Sequence, residues 1–217
     1  MDRIPVVFED ESILIIDKPA GLLTMSTATE STKTAYAALR SYLNRKKPPE
    51  KLFIVHRLDR EASGLLVFAK TLEAKQRLQE QFKNHTAGRR YIAVVEGRVN
   101  DPQFTVRSYL AENAAYRVYS TQNRKAGKLA VTHVRVLKAA SKATLLEVRL
   151  ETGRKHQIRV HLAERGHPIV GDKVYGGRQN PIRRLALHGG HLDFAHPVTG
   201  ARMSFDSPWP KVFSSLY

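Results

Sequence analysis

The chain has no cysteine in its 217 residues, which excludes disulfides and thiolate zinc sites and is compatible with a reducing compartment. It also lacks any apolar run near the roughly 20 residues that a spanning helix needs. The opening MDRIPVVFEDES carries acids and no sustained apolar stretch, so it reads as neither a secretory signal nor a transit peptide. These absences predict a soluble, cytoplasmic protein without a membrane partner. No internal repeat or long charged linker interrupts the sequence, and one domain over residues 1–217 is expected. Nine histidines raise the possibility of a metal-dependent hydrolase, yet no HExxH run or carboxylate pair accompanies them. His156 and His161, five apart, would lie about 140 degrees apart round a helix, so no metal is expected. Acidic residues are scarce. With 20 Asp and Glu against 36 Lys and Arg, the formal charge is +16. An excess of that size favours a polyanion, nucleic acid above all, because phosphate contacts release condensed counterions.

What is present is concentrated in two stretches. Residues 56–71, HRLDREASGLLVFAKT, place Arg57, Asp59, Arg60 and Glu61 immediately before the core-forming Leu65, Leu66, Val67 and Phe68. A carboxylate at that boundary between solvent and interior has a tunable pKa and is a candidate catalyst. The plainer reading is a surface turn, since Asp and Gly also serve turns for backbone reasons. Residues 145–177, LLEVRLETGRKHQIRVHLAERGHPIVGDKVYGG, repeat the arrangement of an alternating strand, a Gly turn and a basic polar cluster.

Periodicity predicts strands at 6–8, 13–16, 53–55, 65–69, 91–95, 105–109, 116–119, 130–137 and 144–151, and a closing hairpin in which Leu192 and Phe194 face Met203 and Phe205. Helices are predicted over 34–43, capped by Ser31 or Thr32; from Thr71 onward, with Leu72, Leu78 and Phe82 inside and Gly88 as the stop; and over 156–165, with Gly166 as the C-cap. Many strands with a few interspersed helices imply an α+β fold with a mainly antiparallel sheet.

The order HRLD, SG, TGR, HQ and R, then GHP, GD and YG, resembles the RluA-type family of RNA pseudouridine synthases. The turn Asp17-Lys18-Pro19-Ala20-Gly21 is similar to that family's first motif, and Arg90-Tyr91 with Gly97 to its tyrosine motif, so the likeness spans most of the chain. It implies a bent, mainly antiparallel mixed sheet with flanking helices and a central catalytic cleft. Because the first motif begins near residue 1, it also implies that the S4-like domain of many relatives is missing. The implied reaction cuts the N1 glycosidic bond, turns the uracil and joins C5 to C1′, without cofactor, metal or redox step.

By this resemblance Asp59 is the catalytic carboxylate, a nucleophile or electrostatic stabiliser. Arg159 pairs with it, and a planar guanidinium would also fix its orientation. Tyr91 stacks on the target base and assists proton removal from C5, while Ile158 packs on the other face. Arg57 enters the stack vacated by the extruded base. His56 joins the substrate-binding group, chiefly as support for the loop. Lys155, where many relatives have Ser or Thr, is a further substrate contact, and Glu61-Ala62 replaces the commoner Asp-Thr. Basic loops at 44–50 and 123–128 suit phosphate or are plain solvated turns. The expected partner is ribosomal or transfer RNA, and the expected state a monomer. A non-catalytic RNA-binding or ribosome-assembly factor is the competing reading, with a metal-dependent hydrolase behind it.

Overall fold

A computed structural model describes residues 4–27 and 30–217. The first three residues of the acidic N-terminal stretch therefore lie outside the described residues. In chain order the elements are β1 (Val6–Glu9), β2 (Ile13–Lys18), α1 (Ala35–Leu43), β3 (Phe53–Ile54), β4 (Ser63–Ala69), α2 (Leu72–Lys83), β5 (Gly88–Glu96), β6 (Gln103–Glu112), β7 (Val118–Thr121), β8 (Lys128–Ala139), β9 (Ala143–Leu150), α3 (Gln157–Glu164), β10 (Leu187–Ala195) and β11 (Arg202–Asp206). Contacts group them into two compact units. One comprises the chain up to Gly88 with Gly189–Pro208; the other comprises Arg89–His188 with Trp209–Tyr217. The α+β class and the predominance of antiparallel pairing agree with the sequence reading.

In the first unit the strand order is β1-β2-β4-β10, with β3 on β4 and β11 on β10. Ile13 to Ile16 and Leu66 to Ala69 are fully buried, because both faces of these strands are covered. One face builds a core of Ile13, Ile15, Leu65, Val67, Leu78, Leu192 and Phe194, against which Phe8, Phe53, Phe82, Met203 and Phe205 pack. The closing hairpin has the expected register, Leu192 opposite Phe205 and Phe194 opposite Met203. Gly64 is required at its position: its φ is +123°, and a Cβ there would fall 2.4 Å from the backbone of Gly189.

Both helices of this unit differ in detail from expectation. The N-cap of α1 is Thr34, whose hydroxyl accepts from Ala37 N–H at 3.0 Å. Ser31 and Thr32 lie upstream of the cap position, and the Thr32 hydroxyl is turned to the Glu30 carboxylate at 3.1 Å, which also accepts the N–H groups of Thr32 and Lys33 at 3.0 and 2.9 Å. The helix starts where its first donors find the carbonyls of Leu23 and Thr24. Thr71 does cap α2. Leu72, however, is 54 % exposed, since the inner stripe runs through Ala74, Leu78 and the half-buried Phe82 at four-residue spacing. That helix ends at Asn84 and the left-handed His85, leaving Gly88 to open β5.

In the second unit the order is β5-β9-β8-β6-β7, antiparallel throughout. Leu146 and Val148 are buried while Arg149 is exposed, the alternation of a sheet with one wet face. Tyr116 belongs to the β6–β7 turn, with φ 60°, rather than to β7. Helix α3 begins at Gln157 after a left-handed His156, φ 53°. Gln157 fixes that start with four hydrogen bonds: its amide oxygen accepts from Thr152 and Arg154, and its nitrogen donates to Val131 O and Thr132.

Candidate active site

The first unit carries Asp59 on the loop between β3 and β4, and that loop is held by backbone groups on either side of the carboxylate. Leu58 is clamped by the Thr24 hydroxyl, which donates to its carbonyl at 3.0 Å and accepts from its N–H at 3.2 Å. The Arg60 carbonyl accepts from Gly21 N–H at 2.7 Å and from the ammonium of Lys18 at 3.3 Å. Lys18 is fully buried at the end of an apolar strand, and it also donates to the carbonyls of Pro19 and Leu22 at 2.9 and 2.7 Å. The turn after β2 and the loop bearing Asp59 are thus one knot. Asp59 is half-buried, while Arg57 and Glu61 are exposed. His56 points inward: its ring lies 4.7 Å from that of Phe82, and Nε2 accepts from Val67 N–H at 3.3 Å.

The second unit places Tyr91 on β5 opposite Val148, 7 % exposed. Ile158 and Arg159 occupy the first turn of α3 and are buried. Arg159 holds a two-pronged ion pair, Nε to Asp172 Oδ2 at 2.8 Å and Nη2 to Oδ1 at 2.9 Å. Asp172 is 1 % exposed and also accepts from the N–H groups of Val174 and Tyr175. The Tyr175 ring lies 5.3 Å from the Arg159 guanidinium, and its hydroxyl meets His156 Nδ1 at 2.8 Å and accepts from Val118 N–H at 3.2 Å. The structure therefore brings Arg159 and His156 together through Tyr175 and anchors Arg159 on Asp172. Neither Asp172 nor Tyr175 was assigned a role from sequence, although the GD and YG motifs contain them. Lys155 instead reaches outward, pairing with Glu112 and donating to Tyr116 O at 3.2 Å.

Other polar groups have structural partners. His161 is fully buried, with Nδ1 2.8 Å from the Thr132 hydroxyl and Nε2 3.0 Å from that of Ser108. Burial lowers its pKa to about 4, against a smaller opposing pull from Glu164. With both ring nitrogens engaged it offers nothing to a metal. Among the described residues no cluster of three His, Cys, Asp or Glu could hold one. In loop 44–50, Lys46 bonds to Glu9 and, at 3.3 Å, to Glu50, while Lys70 joins the same two carboxylates at 3.0 and 2.6 Å. Burial works against ionised Glu9, but bonds from Lys46, Lys70 and Tyr42 outweigh it and hold its pKa below the usual range. Lys46 is thus a partly exposed ammonium already paired with two carboxylates of the protein.

Residues 12–164 match the family described as RNA pseudouridylate synthase. The chain belongs to that family. It is 38% identical over 98% of its length to ribosomal large subunit pseudouridine synthase D of Zymomonas mobilis, covering 71% of that protein. The enzyme of the same name from Pseudomonas aeruginosa is 40% identical over 97% of this chain, which covers 70% of it. The structure of human RNA pseudouridylate synthase domain containing 4 superposes with a TM-score of 0.79 at 23% identity, over 97% of this chain and 90% of that one, a likeness of fold. Pseudouridine synthases are isomerases that convert uridine in RNA to pseudouridine. Among the described residues no helix is long and apolar enough to cross a membrane.

Proposed function

We propose that this pseudouridine synthase uses Asp59 as its nucleophile on a uridine of large-subunit ribosomal RNA. The RNA class follows the names of the similar bacterial enzymes. The observation that carries the role of Asp59 is the clamping of both its neighbours, Leu58 by Thr24 and Arg60 by Gly21 and Lys18. A carboxylate between two fixed backbone groups is aimed before substrate arrives, and such positioning supplies much of a catalyst's advantage. Attack at C1′ displaces N1 directly, whereas attack at C6 adds the carboxylate to the ring before N1 leaves; the uracil turns, C5 bonds to C1′, the bond to Asp59 breaks and returns the free carboxylate, and the C5 proton leaves last to solvent while N1 takes one up.

Reaching either carbon requires the base to leave its stack, at a cost of a few kcal/mol. Arg57, exposed beside Asp59, fills the gap. Tyr91 and Ile158 are assigned to the two faces of the base, and Arg159, kept rigid by Asp172, to the charge balance of the reaction. His56 supports the loop, and Lys155 contacts RNA from the second unit. We further propose that residues 1–217 act as one catalytic domain, as a cytoplasmic monomer. Asp59→Asn tests this: folding and RNA binding should persist while isomerisation is lost. Turnover near that of the unaltered enzyme would overturn the assignment.

A further inference from the structure

The turn between β6 and β7 displays a tyrosine that the fold does not use. Asn113 builds the turn. Its side-chain oxygen accepts from the N–H groups of Ala115 and Arg117 at 3.0 and 2.9 Å, and its carbonyl accepts from Tyr116 N–H at 2.9 Å. Tyr116 takes the left-handed backbone, an uncommon choice for a bulky residue, and is 76 % exposed. The Lys155 ammonium lies 5.7 Å from the centre of its ring. Lys155 is itself tethered to Glu112 and to the Tyr116 carbonyl. The next residue, Arg117, is exposed and among the described residues has no carboxylate partner. Its guanidinium lies 5.6 Å from the Tyr175 ring, the ring that Arg159 approaches at 5.3 Å.

We propose that Tyr116 is a stacking platform for a base of the RNA flanking the target uridine, with Arg117 holding an adjoining phosphate. The proposal rests on the reading of Arg159 as part of the uridine site, because Tyr175 links that residue to Arg117. Burying Tyr116 would be the ordinary use of so large a ring, and the turn instead holds it in water. Every base has a π-face, so such a platform tolerates sequence. A cation near the ring adds electrostatic attraction and suits a polyanionic ligand. Arg117, which among the described residues has no carboxylate partner, is the cation best placed to take a phosphate.

Binding of fluorescein-labelled oligouridylate to the whole chain tests this, with melting temperatures as a control for folding. Tyr116→Ala should weaken binding roughly tenfold or more, whereas Tyr116→Phe, which keeps the ring, should bind as the unaltered chain does. Arg117→Ala should reduce the slope of log K against log salt by about 0.7. Equal binding by Tyr116→Ala and the unaltered chain overturns the proposal, as does a loss in Tyr116→Phe as large as in Tyr116→Ala. The enzymatic reading fails separately: binding that depends on Tyr116 in a chain that isomerises no RNA would leave the platform standing and remove the catalytic assignment.

Discussion

Replacing Asp172 by Asn changes one atom in a buried pair. The carboxylate is 1 % exposed and Arg159 is 3 % exposed, so neither charge is screened by solvent. Asn can keep an oxygen at the Oδ1 position, where Val174, Tyr175 and Arg159 Nη2 donate. Its amide nitrogen would then face Arg159 Nε, a donor against a donor, in place of a 2.8 Å charge-assisted bond. Breaking a buried pair from one side costs about 3–5 kcal/mol. For a chain of this size each kcal/mol shifts the melting temperature by about 2–4 °C. Asp172→Asn should therefore melt roughly 6–20 °C lower.

The same change should be felt in catalysis, since a displacement of about 1 Å in a positioned group can cost about a hundredfold in rate. Single-turnover conversion of uridine, measured well below the melting temperature of the variant, separates this from unfolding. Asp101→Asn is the matched control. It removes the same charge from an exposed pair, with Arg165 at 3.0 Å, and should cost no more than about 1 kcal/mol. If Asp172→Asn melts like Asp101→Asn and turns over like the unaltered enzyme, the anchoring argument is wrong.

Lys18→Met should strip the carbonyls of Pro19 and Leu22 of a buried donor, costing about 2 kcal/mol or more; faster amide exchange at Leu58 and Gly21 would report the loosened loop, and unchanged exchange would refute the knot. His161 gives a pH effect of known sign. Its folded pKa of about 4 lies below its ordinary value of 6.5, so the unfolded chain binds the extra proton and stability falls as pH drops through that window. The loss between neutral pH and pH 4.5 is about 2.5 kcal/mol, and urea titrations should show His161→Gln escaping it. A variant with the same acid sensitivity as the unaltered chain would reject the burial argument.

The sheet was legible in the sequence because its residues alternate or run apolar where both faces are covered, as from Ile13 to Ile16 and across β9. Element ends were less so. Thr32 looks like a cap as well as Thr34 does, and only the contacts made by each hydroxyl, Thr32 to the Glu30 carboxylate and Thr34 to Ala37 N–H, decide between them. Leu72 reads as core by composition, yet its place in the first turn of α2 puts it outside the stripe through Ala74 and Leu78. Loop 44–50 reads as basic until Glu9, distant in sequence, is seen to pair with Lys46.

The residues proposed to touch uridine were named from motifs, and the residues that anchor two of those segments lie in the same set of motifs without having been assigned a role. Lys18 and Asp172 are ionisable groups embedded in apolar surroundings, and a charge in such a place is retained only with partners to satisfy it. Each has backbone partners: Lys18 binds the carbonyls of two turns, and Asp172 binds two N–H groups beside its arginine. A buried charge tied to backbone fixes a loop as well as a side chain. The signal available in sequence was therefore the charge itself, a Lys closing the apolar run of β2 and an Asp following Ile169, Val170 and Gly171, where solvation alone would never have kept either.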